Sequence, residues 1–132
     1  MRNNNLEKRL SNSFIHDYDL ENELGIRFEN LTIRFSNDLK DINIFGDIYI
    51  PNIDEDIVSK YPSIGIYLDM LNANNEIINR NAEYISLDNF LGFTTFNIKI
   101  YDWENNSTLF SLEEIDKIKI YPKYSKTHII HL

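Results

Sequence analysis

The stretch Ile42-Asn43-Ile44-Phe45-Gly46-Asp47-Ile48-Tyr49-Ile50 decides the fold class. Isoleucine takes every even position except Gly46, while Asn43, Phe45, Asp47 and Tyr49 take the odd ones. A two-residue period belongs to a strand with one buried face, because successive side chains point to opposite sides of the sheet. Pro51-Asn52 ends the run, since proline has no N–H to give to a ladder.

The same parity recurs outward from this strand. Ile64, Ile66, Leu68 and Met70 form a second even-numbered stripe. Asn72-Ala73-Asn74-Asn75 follows as a hairpin turn, because Asn tolerates the left-handed backbone that such turns require. The return strand is expected from about Glu76 to Leu87. Phe96, Ile98 and Ile100 mark a strand from about Phe93 to Tyr101. Ile118 and Ile120 mark the last one, with Pro122 expected to end it. Upstream, Leu31, Ile33 and Phe35 alternate with Thr32 and Arg34. Ile26 and Phe28 sit on the other parity, so a bulge near Glu29 is expected. Ser36-Asn37-Asp38 reads as a turn, Asp54 to Pro62 as a polar connection, and Ser111 with Glu114 as a capping box for one helical turn. The isolated glycines Gly46 and Gly65 mark bulges or close strand approach. No helical pattern long enough for a parallel crossover separates the strands. The expectation is an all-β antiparallel sandwich of six to eight strands whose core is these apolar stripes.

Composition agrees with that class. Alanine appears only at Ala73 and Ala82 and valine only at Val58, while Ile and aromatic residues abound, which favours sheet over helix. The 132 residues fit one domain. A hydrophobic fraction of 42% with 26% charged residues excludes disorder, collagen, a coiled coil and a membrane span. There is no cysteine, hence no disulfide, thiol nucleophile or thiolate metal site. The net charge of −8 argues against binding a phosphate backbone. Preference for Ile, Asn and Lys codons fits an AT-rich bacterial or phage genome. Met-Arg-Asn-Asn-Asn-Leu opens the chain without an apolar leader, so a cytoplasmic protein is expected. Leu6, Leu10 and Phe14 share one face of a short N-terminal helix, and the acidic stretch from Asp17 to Leu24, ended by Gly25, is a second helical turn or a loop. The domain expectation is a helical or loop segment over 1–24, a β-sandwich over 25–122 and a tail over 123–132.

The middle of the chain resembles the FxLYD-type domains of bacteria, which are immunoglobulin-like β-sandwiches. The resemblance rests on Gly46-Asp47-Ile48-Tyr49-Ile50 with Asn52, on Leu68-Asp69-Met70-Leu71-Asn72, and on Asn74-Asn75-Glu76 running into Ile77-Ile78, ending at Phe96-Asn97-Ile98. Leu68, Met70, Leu71 and Asn72 stand at the family's Phe, Leu, Tyr and Asp. The resemblance implies an immunoglobulin-like sandwich, implies binding or assembly rather than catalysis, and carries no functional residues over.

The chemistry-bearing side chains point the same way. His128 and His131 lie three apart but have no nearby carboxylate, so no metal is assigned to them. His16 beside Asp17 and Asp19 has the makings of a general base, yet no cysteine or serine elbow accompanies it. Asn52, Asp54, Glu55 and Asp56 crowd one loop as calcium ligands do. An EF-hand loop counted from Asn52 would need Gly and Glu where Ile57 and Ser63 stand. The glycines form neither a P-loop nor a dinucleotide fingerprint. No catalytic residue, metal or cofactor is therefore expected. Tyr49, Tyr67, Tyr101 and Trp103 fall on or beyond the outward parity of their strands, where rings anchor a protein or stack on a sugar.

These readings lead to a non-catalytic protein-binding module that docks on a partner with a basic surface and binds neither nucleic acid nor membrane. Tyr101, Asp102, Trp103 and Glu104 form the expected docking end, with Asp54, Glu55 and Asp56 next. The alternatives are an acidic inhibitor or immunity protein filling a nuclease's or toxin's basic cleft, and a carbohydrate-binding module or small hydrolase using the carboxylates and rings. The core assignment has its own test: Ile44→Ala should lower the unfolding free energy in urea by about 2–5 kcal/mol.

Overall fold

The isoleucine stripes face one another across two sheets in a computed structural model of the chain, which describes residues 4–36, 41–100 and 112–126. In chain order the elements are α1 (Asn4–Ser11), β1 (Phe14–His16), α2 (Tyr18–Leu24), β2 (Arg27–Phe35), β3 (Ile42–Tyr49), α3 (Glu55–Lys60), β4 (Ser63–Leu71), β5 (Ile77–Ser86), β6 (Phe93–Ile100), a 3-10 turn (Leu112–Glu114) and β7 (Lys117–Ser125). One sheet runs β2-β3-β6 and the other β1-β7-β4-β5. All pairings are antiparallel except β1 with β7. Register sets the stripes side by side: Ile42 opposite Ile100, Ile44 opposite Ile98, Leu68 opposite Ile120, Met70 opposite Ile118. Their side chains fill the space between the sheets and are buried.

The expected bulge is present, with the β2–β3 register shifting between Glu29 and Thr32 and Asn30 at φ 57. Leu31 sits inside that irregularity and is half-buried rather than a full core residue. The hairpin turn also forms. Asn72 Oδ1 accepts from Asn74 N and Glu76 N, and Asn75 takes φ 62. The core additionally recruits Leu6, Leu10, Ile26, Phe28, Leu87 and Ile115.

Several expectations need correction. Phe14 leaves the helix and opens β1, because α1 ends at Ser11. The connection after Asp54 contains α3, whose first turn Asp54 caps by accepting from Ile57 N at 2.9 Å. Gly46 and Gly65 lie in unbroken register, so neither marks a bulge. Each marks a close approach instead: a Cβ on Gly46 would lie 2.6 Å from Leu31 Cδ2 and from Phe96 Cζ. Pro122 does not end β7, which continues to Ser125 and pairs Pro122 with Ile66. The reason is directional. Ile118 N points toward β1, donating to Ser13 O, so the N of Pro122, four residues on, points the same way. β1 stops opposite Ile120, and no ladder bond is lost.

The N-terminal segment closes one side of the sandwich. On the outer edge of β2, Phe35 N donates to Glu7 Oε1 at 2.9 Å, Ile33 N to Ser11 Oγ at 3.1 Å and Phe28 N to Glu21 Oε1 at 3.1 Å. Side-chain oxygens from α1 and α2 thus stand where a neighbouring strand would place its carbonyls. Both carboxylates are buried, Glu7 to 6% exposure and Glu21 to 2%. Asp17 starts α2 by accepting from Leu20 N, and Gly25 in the left-handed region (φ 69) ends it, so Glu21 arrives in place. Glu7→Ala would leave Phe35 N–H unsatisfied and should cost about 1–3 kcal/mol in denaturant unfolding, whereas Glu7→Gln, which keeps an acceptor, should cost clearly less.

Candidate functional site

Tyr101, Asp102, Trp103 and Glu104, the first expected docking end, lie outside the described residues, as do His128 and His131. The second expected site, Asp54, Glu55 and Asp56, forms the start of α3, and of the three Asp54 and Glu55 line a groove. This groove, about 610 Å³, runs between α3 and the β5–β6 connection. Ile53, Val58, Leu87 and Phe90 give it an apolar floor anchored on the core. Its charged lining residues, Asp54, Glu55 and Asp88, are all acidic and exposed.

The β5–β6 connection is held in a tight path. Asp88 N donates to Ser86 Oγ, Phe90 N donates to Leu87 O, and Asn89 and Gly92 take positive φ. Ile50 N donates to Gly92 O at 2.8 Å and ties the connection to the end of β3. The consequence is Leu91, 93% exposed at the tip, with Phe93 48% exposed beside it. Phe93 packs on Tyr49 at 4.8 Å between centroids, and the Arg27 guanidinium covers the Tyr49 ring at 4.8 Å. A fixed apolar tip beside an acid-rimmed groove suits binding of a complementary surface. The sequence signal for it was Asn89-Phe90-Leu91-Gly92-Phe93, apolar residues within a turn.

Tyr49 and Tyr67 are on the outer faces of opposite sheets and do not form one platform. Tyr67 belongs to a row crossing three strands. Its ring stacks on Tyr121 at 5.4 Å and meets Tyr84 edge-on at 6.0 Å, with the two hydroxyls 2.7 Å apart. Lys119 lies over Tyr121 at 5.6 Å. Beneath the row, Asp69 accepts two bonds from Arg80 (2.7 and 3.1 Å) and one from Tyr121 (3.2 Å). A Cβ on Gly65 would lie 2.7 Å from the Tyr67 ring, so glycine lets the rings lie flat on β4. Stacking on Tyr67 and the Lys119 contact hold the Tyr121 ring, and the row braces the sheet across three strands.

His16 does not pair with Asp17 or Asp19. Its Nδ1 is 3.0 Å from Glu21 Oε2, and its ring stacks on Tyr18 at 4.8 Å. Glu21 also holds Phe28 N, so the pair is part of the β2 seal. Among the described residues, no group of three or more His, Asp or Glu side chains is placed to hold a metal ion, and no helix is long and apolar enough to cross a membrane. Comparison with protein-family models, with curated proteins and with solved structures finds no match to this chain.

The tyrosine row makes stability depend on alkaline pH. The hydrogen bond from Tyr84, with burial, pushes the Tyr67 phenol up to about 12, and burial followed by the Asp69 charge raises Tyr121. A folded-state pKa above the unfolded value of 10.0 gives stability that is complete below pH 10 and is lost as pH rises toward 12. Urea midpoints measured across that interval should fall with pH, and Tyr67→Phe should make the fall shallower.

Proposed function

We propose that the chain is a non-catalytic protein-binding module that docks at the α3 end of the sandwich. The observation that carries this reading is Leu91, exposed on a hydrogen-bonded loop beside a groove with an apolar floor and an acidic rim. An exposed leucine on rigid backbone loses little entropy on binding, and apolar contact ringed by charge is the common anatomy of a docking site. The rim selects a basic partner, whose approach is steered by carboxylates and weakened by salt. The inhibitor reading is a special case supported by that same rim and by the net charge of −8: the partner's basic surface would then be the cleft of a nuclease or toxin.

The immunoglobulin-like topology is part of this proposal. Support comes from the central pairings, β3 with β6 in one sheet and β4 with β7 in the other, joined by crossings between sheets. The stretches that resemble FxLYD-type domains lie on β3, β4, the β4–β5 turn and β6. A cytoplasmic location remains part of the same reading.

The test is site-specific photo-crosslinking in cell extract from a probe at position 91, with a probe at Tyr84 as control. One discrete adduct is expected from position 91, lost in high salt, and none from Tyr84. Leu91→Asp should abolish complex formation with the crosslinked partner without moving Tm. Loss with Trp103→Ala while Leu91→Asp still binds would transfer the interface to the segment around Trp103.

A further inference from the structure

The outer face of the β2-β3-β6 sheet carries an open depression of about 470 Å³, lined by Asn30, Phe45, Asp47, Thr95 and Asn97 among others. Register places its parts. Ile44, Ile48, Phe96 and Ile98 are buried between the sheets, so Phe45, Asp47, Thr95 and Asn97, on the opposite parity, face outward. Phe45 stands between Thr32 and Asn97, and Asp47 stands beside Thr95. Asn30 reaches the same place through the bulge in β2, since an extra residue re-aims a side chain. At φ 57 it donates from Nδ2 to Asp47 Oδ2 at 2.7 Å. Two features of this depression are unspent. Phe45 is 40% exposed, and among the described residues its ring meets no other aromatic ring and no cation, unlike Tyr49 and Phe93 on the same face. Asp47 Oδ1, the Thr95 hydroxyl and the Asn97 side-chain amide make no hydrogen bond among the described residues.

We propose that this depression binds a short neutral oligosaccharide, with Phe45 as the stacking platform and Asn30, Asp47, Thr95 and Asn97 as the hydrogen-bonding rim. The match is one of chemistry. One side of a pyranose is a sheet of C–H bonds, which the electron-rich face of an aromatic ring attracts. Its edge is a row of hydroxyls, each able to donate and to accept. A carboxylate accepts from two such hydroxyls through short charge-assisted bonds, and an amide both donates and accepts. The bond from Asn30 orients the Asp47 carboxylate before a ligand arrives, so less order is lost on binding. Other ligand classes fit worse. A phosphate or an acidic ligand would face Asp47 with no cation among the lining residues. An apolar ligand would strip water from four polar side chains and give them no partner. A protein interface needs about 800 Å² on each side with an apolar centre, and here one ring stands among polar groups. The volume lies within the roughly 300–1,000 Å³ of small-ligand sites. The depression shares no lining residue with the groove beside α3, so it stands or falls independently of protein docking there.

The experiment is a glycan array probed with the full chain, followed by residue-resolved NMR titration with a neutral oligosaccharide that the array retains. Saturable shifts are expected at the Phe45, Asp47, Thr95 and Asn97 amides and at the Asn30 side chain, while Leu91 does not move. Phe45→Thr, which keeps strand propensity, and Asp47→Asn, which keeps an acceptor for Asn30, should each weaken binding by about tenfold or more without moving Tm. Phe45→Tyr, which keeps the ring, should bind as the parent chain does; if Phe45→Thr unfolds, Asp47→Asn and Asn97→Ala carry the test. An array that retains no neutral glycan overturns the proposal. Retention of amino sugars alone overturns it too, because their ammonium group would sit on Asp47 as a cation and need no row of hydroxyls. Shifts centred on another face, or an affinity indifferent to these substitutions, place sugar binding elsewhere and overturn it as well.

Discussion

Every sheet that does not close on itself must do something with the N–H and C=O groups of its outer strands, and that requirement organises this protein. Among the described residues, two open sheets present four edges. The chain satisfies one of them with side chains rather than with backbone: Glu7, Ser11 and Glu21 accept from three N–H groups of β2. Burying two carboxylates is costly unless each is well bonded. Here the bonds they make are the ones the edge strand lacks, so the desolvation of the acids and the satisfaction of the strand are the same event. The placement of α1 and α2 follows from it, and with them the burial of Leu6 and Leu10 against the core.

The outer faces are handled differently from the edges. β4, the central strand of its sheet, is buried on both sides, because Tyr67, Tyr84, Tyr121 and Arg80 lie across Gly65 and Asp69. Aromatic residues that a sequence pattern places outward are thus engaged with one another. On the proposed reading, docking falls to an end of the sandwich, where a loop is held at both ends but not covered. The tip carrying Leu91 is such a place: Gly92 is tied to Ile50, Phe90 to Leu87, and the side chain between them has nothing to pack on.

Much of this fold was legible in the sequence because its signal is local and periodic. The even-numbered isoleucines of β3 and β4, the parity change near Glu29 and the asparagine turn at 72–75 are each decided within about ten residues. What escaped was nonlocal. β1 has three residues, and its partner strand lies at the other end of the chain. Pro122 reads as a terminator in the sequence because the effect of proline depends on which side its nitrogen faces, and here that nitrogen faces past the end of β1. Ile57 and Val58 gave no helical period because α3 spans barely more than one turn. Glu7 and Glu21 read as surface charge, since a formula for hydropathy does not see an N–H waiting on another element. Of the candidate site, charge in the sequence points to Asp54 and Glu55 but nothing there marks Leu91, because a lone exposed leucine is ordinary unless its loop is held.

The parallel pairing of β1 with β7 has a consequence for the order in which the molecule assembles. Phe14, Ile15 and His16 meet Ile118, Lys119 and Ile120, so this contact waits for almost the whole chain. The contacts from Glu21 to Phe28 and from Glu7 to Phe35 span far shorter loops, and loop closure grows costlier with length. On a ribosome, α1, α2 and β2 can join while β4 to β7 are still unmade. The growing chain would then carry its vulnerable first edge already masked, and the second sheet would dock onto a half-built scaffold, with the β1–β7 pair as the last latch. Proteins rich in such distant contacts fold slowly, and an early mask on the leading edge is protection against pairing with neighbouring nascent chains during that delay.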